Sequence, residues 1–142
     1  MRVLVPVDGS ESANRAVAHA VLLAEGRVSG EITLLYVQNQ QTLDTSEISG
    51  ITSVGADTER AVDQSEKVLR QAIELCRNAH VKFNTRSAFG PIAEAIDTTA
   101  REIAADQIVM GTRGLGPLRG AVLGSVSSRV VRLARIPVTL VK

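Results

Sequence analysis

The chain has 142 residues and a mass of 15.1 kDa, so we expect residues 1–142 to form one domain with its own core. Hydrophobic residues make up 44% and charged residues 22%, which is a globular composition and argues against disorder. The 16 basic and 15 acidic residues leave a net charge of +1. No bulk field therefore favours a nucleic acid or a membrane surface as partner.

Cysteine usage and the amino terminus indicate the compartment. Cys76 is the single cysteine and has no partner for an internal disulfide, which is typical of a reducing compartment. The apolar run at the amino terminus is far shorter than the core of a signal peptide, and no segment is long and apolar enough to span a bilayer. We expect a cytoplasmic protein.

The first strand and helix stand out clearly. Residues 3–7 form a continuous aliphatic run, which is typical of a strand buried on both faces of a parallel sheet. Apolar residues then recur with helical spacing from Ser10 to near Gly26, and either Ser10 or Asp8 supplies the N-cap.

The same alternation continues to the end of the chain. Further strands are predicted at 32–37, 81–87, 107–110 and 138–141, the last opened by Pro137. Helical stripes are predicted at 61–76, at 92–103 with Pro91 in the first turn, and at 126–134. Five strands and four helices in this order predict an α/β fold, a doubly wound, Rossmann-like parallel sheet with helices on both faces.

Residues 38–57 interrupt this rhythm, because they are rich in Gln, Ser, Thr and Gly and show no sustained period. We predict a surface loop with at most one helical turn. The alternative is a lid or a partner-binding flap beside a binding site, ordered by the ligand.

The segment from Gly111 to Ser125 is the most specific in the chain. Five glycines fall within residues 111–124, between the fourth strand and the fourth helix. Such a loop can present backbone N–H groups and a helix N-terminus to a phosphate, although a long turn with left-handed glycines explains it as well. A Walker A loop and a dinucleotide fingerprint are both excluded by inspection. A phospho-receiver domain is excluded too, because no aspartate ends the third strand.

The chain resembles the universal stress protein family over its whole length. The resemblance is carried by the start Val5-Pro6-Val7-Asp8-Gly9-Ser10, by the end Ile136-Pro137-Val138-Thr139-Leu140-Val141, and by the pattern G-x2-G-x9-G-(S/T), matched by Gly111, Gly114, Gly124 and Ser125. The resemblance implies the strand order 3-2-1-4-5, bound ATP or AMP or ADP with Mg or Mn, and a homodimer.

Site roles follow from the resemblance, residue by residue. Asp8 would hold the ribose, the Val37 backbone would meet the adenine, and Met110 and Gly111 would close over the ribose. Asp8 as a helix cap and Met110 as a core residue are the structural alternatives. Further residues would line the pocket or cradle the phosphates, namely Pro6, Val7, Gly114, Gly124, Ser125 and Val126, with Arg113 and Ser127 as weaker additions.

Catalysis is not predicted by these residues. The loop offers hydroxyls and arginines but neither a carboxylate nor a histidine, so no catalytic residue and no metal ligand is assigned. The prediction is a nucleotide-binding regulator in stress response, with slow ATP hydrolysis or autophosphorylation left open. The alternative is a dimeric scaffold of the same fold with an empty pocket. The strand Val138–Val141 would pair two copies, and Thr139→Pro is expected to favour monomers.

Overall fold

The computed structural model describes residues 1–39, 54–114 and 123–142. In these ranges strands and helices alternate strictly: β1 (Arg2–Pro6), α1 (Glu11–Ala24), β2 (Glu31–Gln38), α2 (Val54–Asn78), β3 (Lys82–Phe89), α3 (Ile92–Glu102), β4 (Gln107–Gly111), α4 (Ser125–Leu133) and β5 (Val138–Val141). The strands form one sheet in the order β3-β2-β1-β4-β5 with all pairs parallel. The predicted α/β class, strand count and strand order are confirmed.

Each face of the sheet has its own hydrophobic core. One core joins the sheet to α1 and α2 and includes Val5, Val17, Leu69 and Cys76, all at most 3% exposed. The other joins the opposite face to α3 and α4 and is built around Leu4, Leu35, Ile96, Ile108 and Val130, all fully buried. Leu4 and Val5 therefore point to opposite sides, as neighbours in a doubly covered strand must.

Several element ends differ from the sequence prediction. Helix α2 begins at Val54, so residues 54–57 are helical rather than part of a loop. No apolar stripe marks these first residues, which is why periodicity missed them. Gln38 closes β2, and the remainder of the predicted loop, 40–53, lies outside the described residues. Pro91 occupies the N-cap position of α3, one residue before its first turn.

Helices α2 and α3 are each followed by a non-glycine residue in the left-handed region, which returns the chain to the sheet. His80 has φ 55° and donates its backbone N–H to the Arg77 carbonyl, and the Val81 N–H bonds the Cys76 carbonyl. Ala104 repeats this arrangement after α3 with φ 48°. His80 is thus part of a helix terminator. The described residues contain no helix that is long and apolar enough to cross a membrane.

Candidate functional site

A cavity of about 360 Å³ opens at the carboxyl ends of β1, β2 and β4. After β1 the chain enters α1 on one face of the sheet, and after β4 it enters α4 on the other face. The cavity therefore lies at the switch point, where open α/β sheets bind ligands. All twelve residues predicted from the sequence line it: Pro6, Val7, Asp8, Val37, Met110, Gly111, Arg113, Gly114, Gly124, Ser125, Val126 and Ser127.

Four further lining residues were not predicted, namely Ala13, Leu35, Ile92 and Ile96. Their helical or strand periodicity marked them as core residues, and periodicity does not show where a core opens into a cleft. Ile92 and Ile96 are one turn apart on α3, so they present one face to the cavity.

The turn after β1 is held by two side chains. The Ser10 N–H donates to Asp8 Oδ1 at 2.9 Å, and the Ala13 N–H donates to Ser10 Oγ at 3.1 Å. Ser10 is therefore the N-cap of α1, and Asp8 stabilises the turn before it. A Cβ on Gly114 would lie only 2.7 Å from Asp8 Oδ2. The second carboxylate oxygen thus faces the glycine loop across the cleft.

Gly111 is required by packing. A Cβ at this position would lie 2.2 Å from Ser12 Oγ and 2.8 Å from the Ser12 backbone carbon, so α1 can approach β4 only at a glycine. The Gly111 carbonyl accepts a hydrogen bond from Ser127 Oγ at 3.0 Å. Gly111 therefore connects β4 to both α1 and α4, whether or not a ligand is bound.

Gly124 has a different environment. It has an ordinary φ of −69° as the N-cap of α4, and the nearest atom to an added Cβ would be the Thr112 carbonyl oxygen at 3.3 Å. Neither backbone conformation nor a severe clash demands glycine here. Because Gly124 has no side chain to cap the helix, the first-turn N–H groups of α4 can meet an acceptor that enters the cleft.

The opposite end of the cleft, between β2 and α3, is apolar. The ladder between β1 and β2 ends where the Val7 N–H donates to the Leu35 carbonyl at 2.8 Å. In a parallel strand the backbone groups of alternate residues point to the same side. The N–H and C=O of Val37 therefore point to the β1 side of β2, as the Leu35 carbonyl does, but lie beyond the last hydrogen bond between the two strands. Val37 thus presents one donor and one acceptor to the cleft.

An ion pair joins the two helices that flank the cleft. Glu94 of α3 and Arg129 of α4 are linked by a hydrogen-bonded salt bridge on the surface. This hydrogen bond lowers the pKa of the Glu94 carboxyl and raises the pKa of the Arg129 guanidinium. The pair fastens α3 to α4 outside the cavity.

Metal ligands are scarce around the cleft. In the ranges that the structure describes, no group of three His, Cys, Asp or Glu side chains is placed to hold a metal ion. Asp8 is the sole acidic residue among the described lining residues. A divalent ion here would need most of its ligands from a bound phosphate and water.

Comparison with known proteins gives a consistent result. The model of the universal stress protein family matches residues 1–142. The universal stress protein YxiE of Bacillus subtilis is 32% identical, over 99% of this chain and 98% of its own length. The solved structure of the hypothetical protein MJ0577 has a TM-score of 0.84 at 23% identity, covering 99% of this chain and 94% of its own, and shows the fold. A universal stress protein crystallised in complex with cAMP has a TM-score of 0.71 at 27% identity, covering 100% and 97%.

Proposed function

The chain belongs to the universal stress protein family, and from this premise we propose that its cleft binds an adenine nucleotide: ATP with Mg or Mn, or ADP or AMP. The observation that carries the proposal is the two-ended cleft, which is apolar between β2 and α3 and offers a helix N-terminus between β4 and α4. A nucleotide has the matching ends, a flat base and a phosphate chain. The relative in complex with cAMP supports the same ligand class.

The proposed contacts follow the cleft from one end to the other. Val37 bonds the adenine edge through its backbone, Asp8 accepts from ribose hydroxyls, and Met110 and Gly111 cover the ribose. Pro6 and Val7 form the floor. The phosphates lie against α4 and its loop, at Gly114, Gly124, Ser125, Val126 and Ser127, with Arg113 adding positive charge.

A divalent cation fits this proposal in a limited way. One carboxylate, Asp8, lines the described cleft, so Mg or Mn would be held mainly by phosphate oxygens and water. The ion would neutralise the charge of the phosphates. The chain's own task is to orient the nucleotide.

The proposed activity is regulation by nucleotide occupancy rather than efficient turnover. Histidine is missing from the described lining residues, and their single carboxylate already accepts a hydrogen bond from the Ser10 N–H. A general base aimed at the phosphates is therefore not part of the proposal. A cytoplasmic setting belongs to it, consistent with the buried, unpaired Cys76, whose pKa burial raises to about 11.

A scaffold with an empty cleft is the second candidate. Gly111 and Gly114 are both explained by contacts within the protein, to Ser12 and to Asp8. Gly111 would therefore be required even without a ligand, because an added Cβ would meet the Ser12 backbone, whereas at Gly114 it would meet only the end of the Asp8 side chain. Gly114, Gly124 and the shape of the cleft are what discriminate between the candidates.

Calorimetric titration tests the ribose contact. Wild type should bind ATP with Mg about tenfold more tightly than 2′,3′-dideoxy-ATP, because Asp8 loses its charged hydrogen bond. Asp8→Ala should bind both nucleotides equally, whereas the exposed control Asp63→Ala should behave as wild type. If no adenine nucleotide gave heat on titration, nucleotide binding would be contradicted and the scaffold with an empty cleft would be favoured.

We also propose a homodimer formed by the outer edge of β5. The two edge strands differ in charge: β3 carries Lys82 and Arg86, whereas Val138–Val141 carries no charged residue. Charged residues protect an edge against pairing, and an apolar edge invites it. A two-fold antiparallel pairing of β5 would bury this strand.

The register corrects the expected effect of Thr139→Pro. The carbonyls of Pro137 and Val141 accept hydrogen bonds from Ile108 and Thr112 of the β4 side, so the N–H of Thr139 also faces β4. The outward N–H groups of β5 belong to Val138 and Leu140. Leu140→Pro should therefore give monomers in light scattering, while Thr139→Pro weakens the sheet of the monomer itself. A monomeric wild type, or a dimeric Leu140→Pro, would overturn the dimer.

A further inference from the structure

One hydroxyl at the phosphate end of the cleft is already hydrogen-bonded within the protein. Ser127 lies in the first turn of α4 and is only 3% exposed, whereas Ser125, two residues earlier, is exposed. The Ser127 hydroxyl donates to the Gly111 carbonyl at 3.0 Å. A serine hydroxyl has a single hydrogen, so it cannot make this bond and donate to a phosphate oxygen at the same time.

The Gly111 carbonyl is a fixed partner for this hydroxyl. It shares a peptide group with the Thr112 N–H, which donates to the Val141 carbonyl of β5 at 2.9 Å. The same peptide group is therefore bonded to the sheet on one side and to α4 on the other. Hydrogen bonds that run through one peptide group polarise and strengthen each other. Ser127 thus ties α4 directly to the sheet.

A second hydrogen bond holds the start of α4. The Gly124 N–H donates to the Thr112 carbonyl at 2.7 Å, so the beginning of the helix is attached to two consecutive carbonyls at the end of β4. The backbone supplies one of these links, and the Ser127 side chain supplies the other. Ser125 and Val126 lie between the two links, and N–H groups in the first turn of a helix have no acceptor within that helix.

We infer that Ser127 is a positioning residue for the phosphate end of the cleft: its hydroxyl fixes the first turn of α4 through the Gly111 carbonyl, and the backbone N–H groups of that turn bind the phosphate. The inference rests on the proposed nucleotide binding and gives the Ser127 side chain a task other than direct contact. Donors that are held in place before the ligand arrives bind it without an ordering cost. Loss of the hydroxyl therefore weakens phosphate binding although no side-chain contact to the ligand is removed.

The first measurement compares ligands with and without phosphate by calorimetric titration. Ser127→Ala should weaken binding of ATP with Mg by about three- to tenfold, the contribution of one hydrogen bond. Binding of adenosine, which has the base and ribose but no phosphate, should stay as in wild type. The ratio of Kd for adenosine to Kd for ATP should therefore fall by the same factor. A general loss of stability would not move this ratio.

The second measurement separates positioning from direct contact, because it is made on the protein without nucleotide. In ligand-free Ser127→Ala, the carbonyl carbon NMR resonance of Gly111 should shift, since its hydrogen bond is lost. Amide exchange of Gly124 should become faster, because its bond to Thr112 then holds the start of α4 alone. A hydroxyl that only met the phosphate would leave both signals unchanged.

Two further variants serve as controls. Ser127→Thr keeps a hydroxyl at this position and should keep the wild-type ratio and the wild-type exchange rate of Gly124. Ser128→Ala removes the hydroxyl of the next residue in α4, which is half-buried and does not line the cleft. This variant should also behave as wild type in both measurements.

The outcomes separate the inference from the function on which it rests. Wild type that binds ATP, with an unchanged ratio in Ser127→Ala, would overturn the positioning role and leave the nucleotide site intact. A lower ratio with unchanged ligand-free signals of Gly111 and Gly124 would overturn it in favour of direct contact. An equal change in Ser127→Thr or Ser128→Ala would overturn it too, because the effect would not depend on this hydroxyl. Wild type that binds neither ATP nor adenosine would overturn both.

Discussion

The two walls of the cleft are built on different principles. The wall between β2 and α3 is a continuation of the hydrophobic core, in which Ile96 is fully buried and Ile92 reaches the surface. The wall between β4 and α4 consists of glycines, serines and backbone, with helix α4 starting at Ser125. The first wall is formed by large apolar side chains, whereas the second depends on small residues that leave the backbone accessible.

This difference predicts which substitutions change the stability of the fold and which change ligand binding. Apolar side chains at the first wall contribute buried area whether or not a ligand is present. At the second wall each glycine has its own reason: Gly111 packs against Ser12, Gly114 admits the Asp8 carboxylate, and Gly124 leaves the cleft open. Substitutions should therefore act on folding at the first wall and at Gly111, and on ligand binding at Gly124.

The largest expected effect is at the apolar wall. Ile96→Ala removes a fully buried side chain and should lower the free energy of unfolding by about 2–5 kcal/mol. Urea denaturation measures this loss. Ile103→Ala should cost less, because Ile103 is only half-buried. Equal losses at the two positions would contradict the view that the wall is an extension of the core.

A smaller loss is expected at Gly111. Gly111→Ala places a methyl group against Ser12 and should lower the free energy of unfolding by about 1–3 kcal/mol. Adding Ser12→Ala should recover only part of it, since the Ser12 backbone carbon would still lie 2.8 Å from the new Cβ. Unchanged stability of Gly111→Ala in urea would show that its glycine serves the ligand instead.

The smallest effect is expected at the surface ion pair between Glu94 of α3 and Arg129 of α4. The pKa of Glu94 is lowered by Arg129, so the pair stabilises the fold above the ordinary carboxyl pKa of 4.5 and loses its effect as the pH falls through the lowered value. In urea denaturation, Glu94→Gln should thus have a slightly lower free energy of unfolding than wild type at pH 7, and the difference should disappear at a pH well below the lowered pKa. In an Arg129→Gln background the same substitution should show no pH-dependent difference.

The sequence predicted most of the architecture because most strands contain an apolar run and most helices carry a clear stripe; β3, with Lys82, Asn84 and Arg86, has the weakest run. The start of α2 was missed because residues 54–60 carry no such stripe. The twelve predicted site residues meet in one cavity, since the glycine pattern and the Asp8 turn follow adjacent strands. Leu35, Ile92 and Ile96 could not be recognised, because a residue in the core and one at a cleft wall have the same periodicity.

The reason for each glycine was also beyond the sequence. The spacing of Gly111, Gly114 and Gly124 indicates one motif, yet the structure gives the three residues three different neighbours. The neighbours of each glycine depend on how closely elements far apart in the chain, such as α1 and β4, pack against each other. Contacts of this kind are tertiary, so no local pattern records them.

The most direct test of the nucleotide cleft is thermal unfolding with and without ATP and Mg, for wild type and Gly124→Val. ATP at a hundred times its Kd should stabilise wild type by about 2.7 kcal/mol, which is about 5 to 10 °C in a domain of this size. Gly124→Val should fold, since residue 124 has an ordinary φ of −69° and the Thr112 carbonyl oxygen, 3.3 Å from the added Cβ, needs to move by only a few tenths of an ångström. It should show no shift with ATP, because the branched side chain fills the proposed phosphate site. An equal shift in both proteins would contradict the proposed phosphate position, and no shift in a nucleotide-free wild type would contradict nucleotide binding itself.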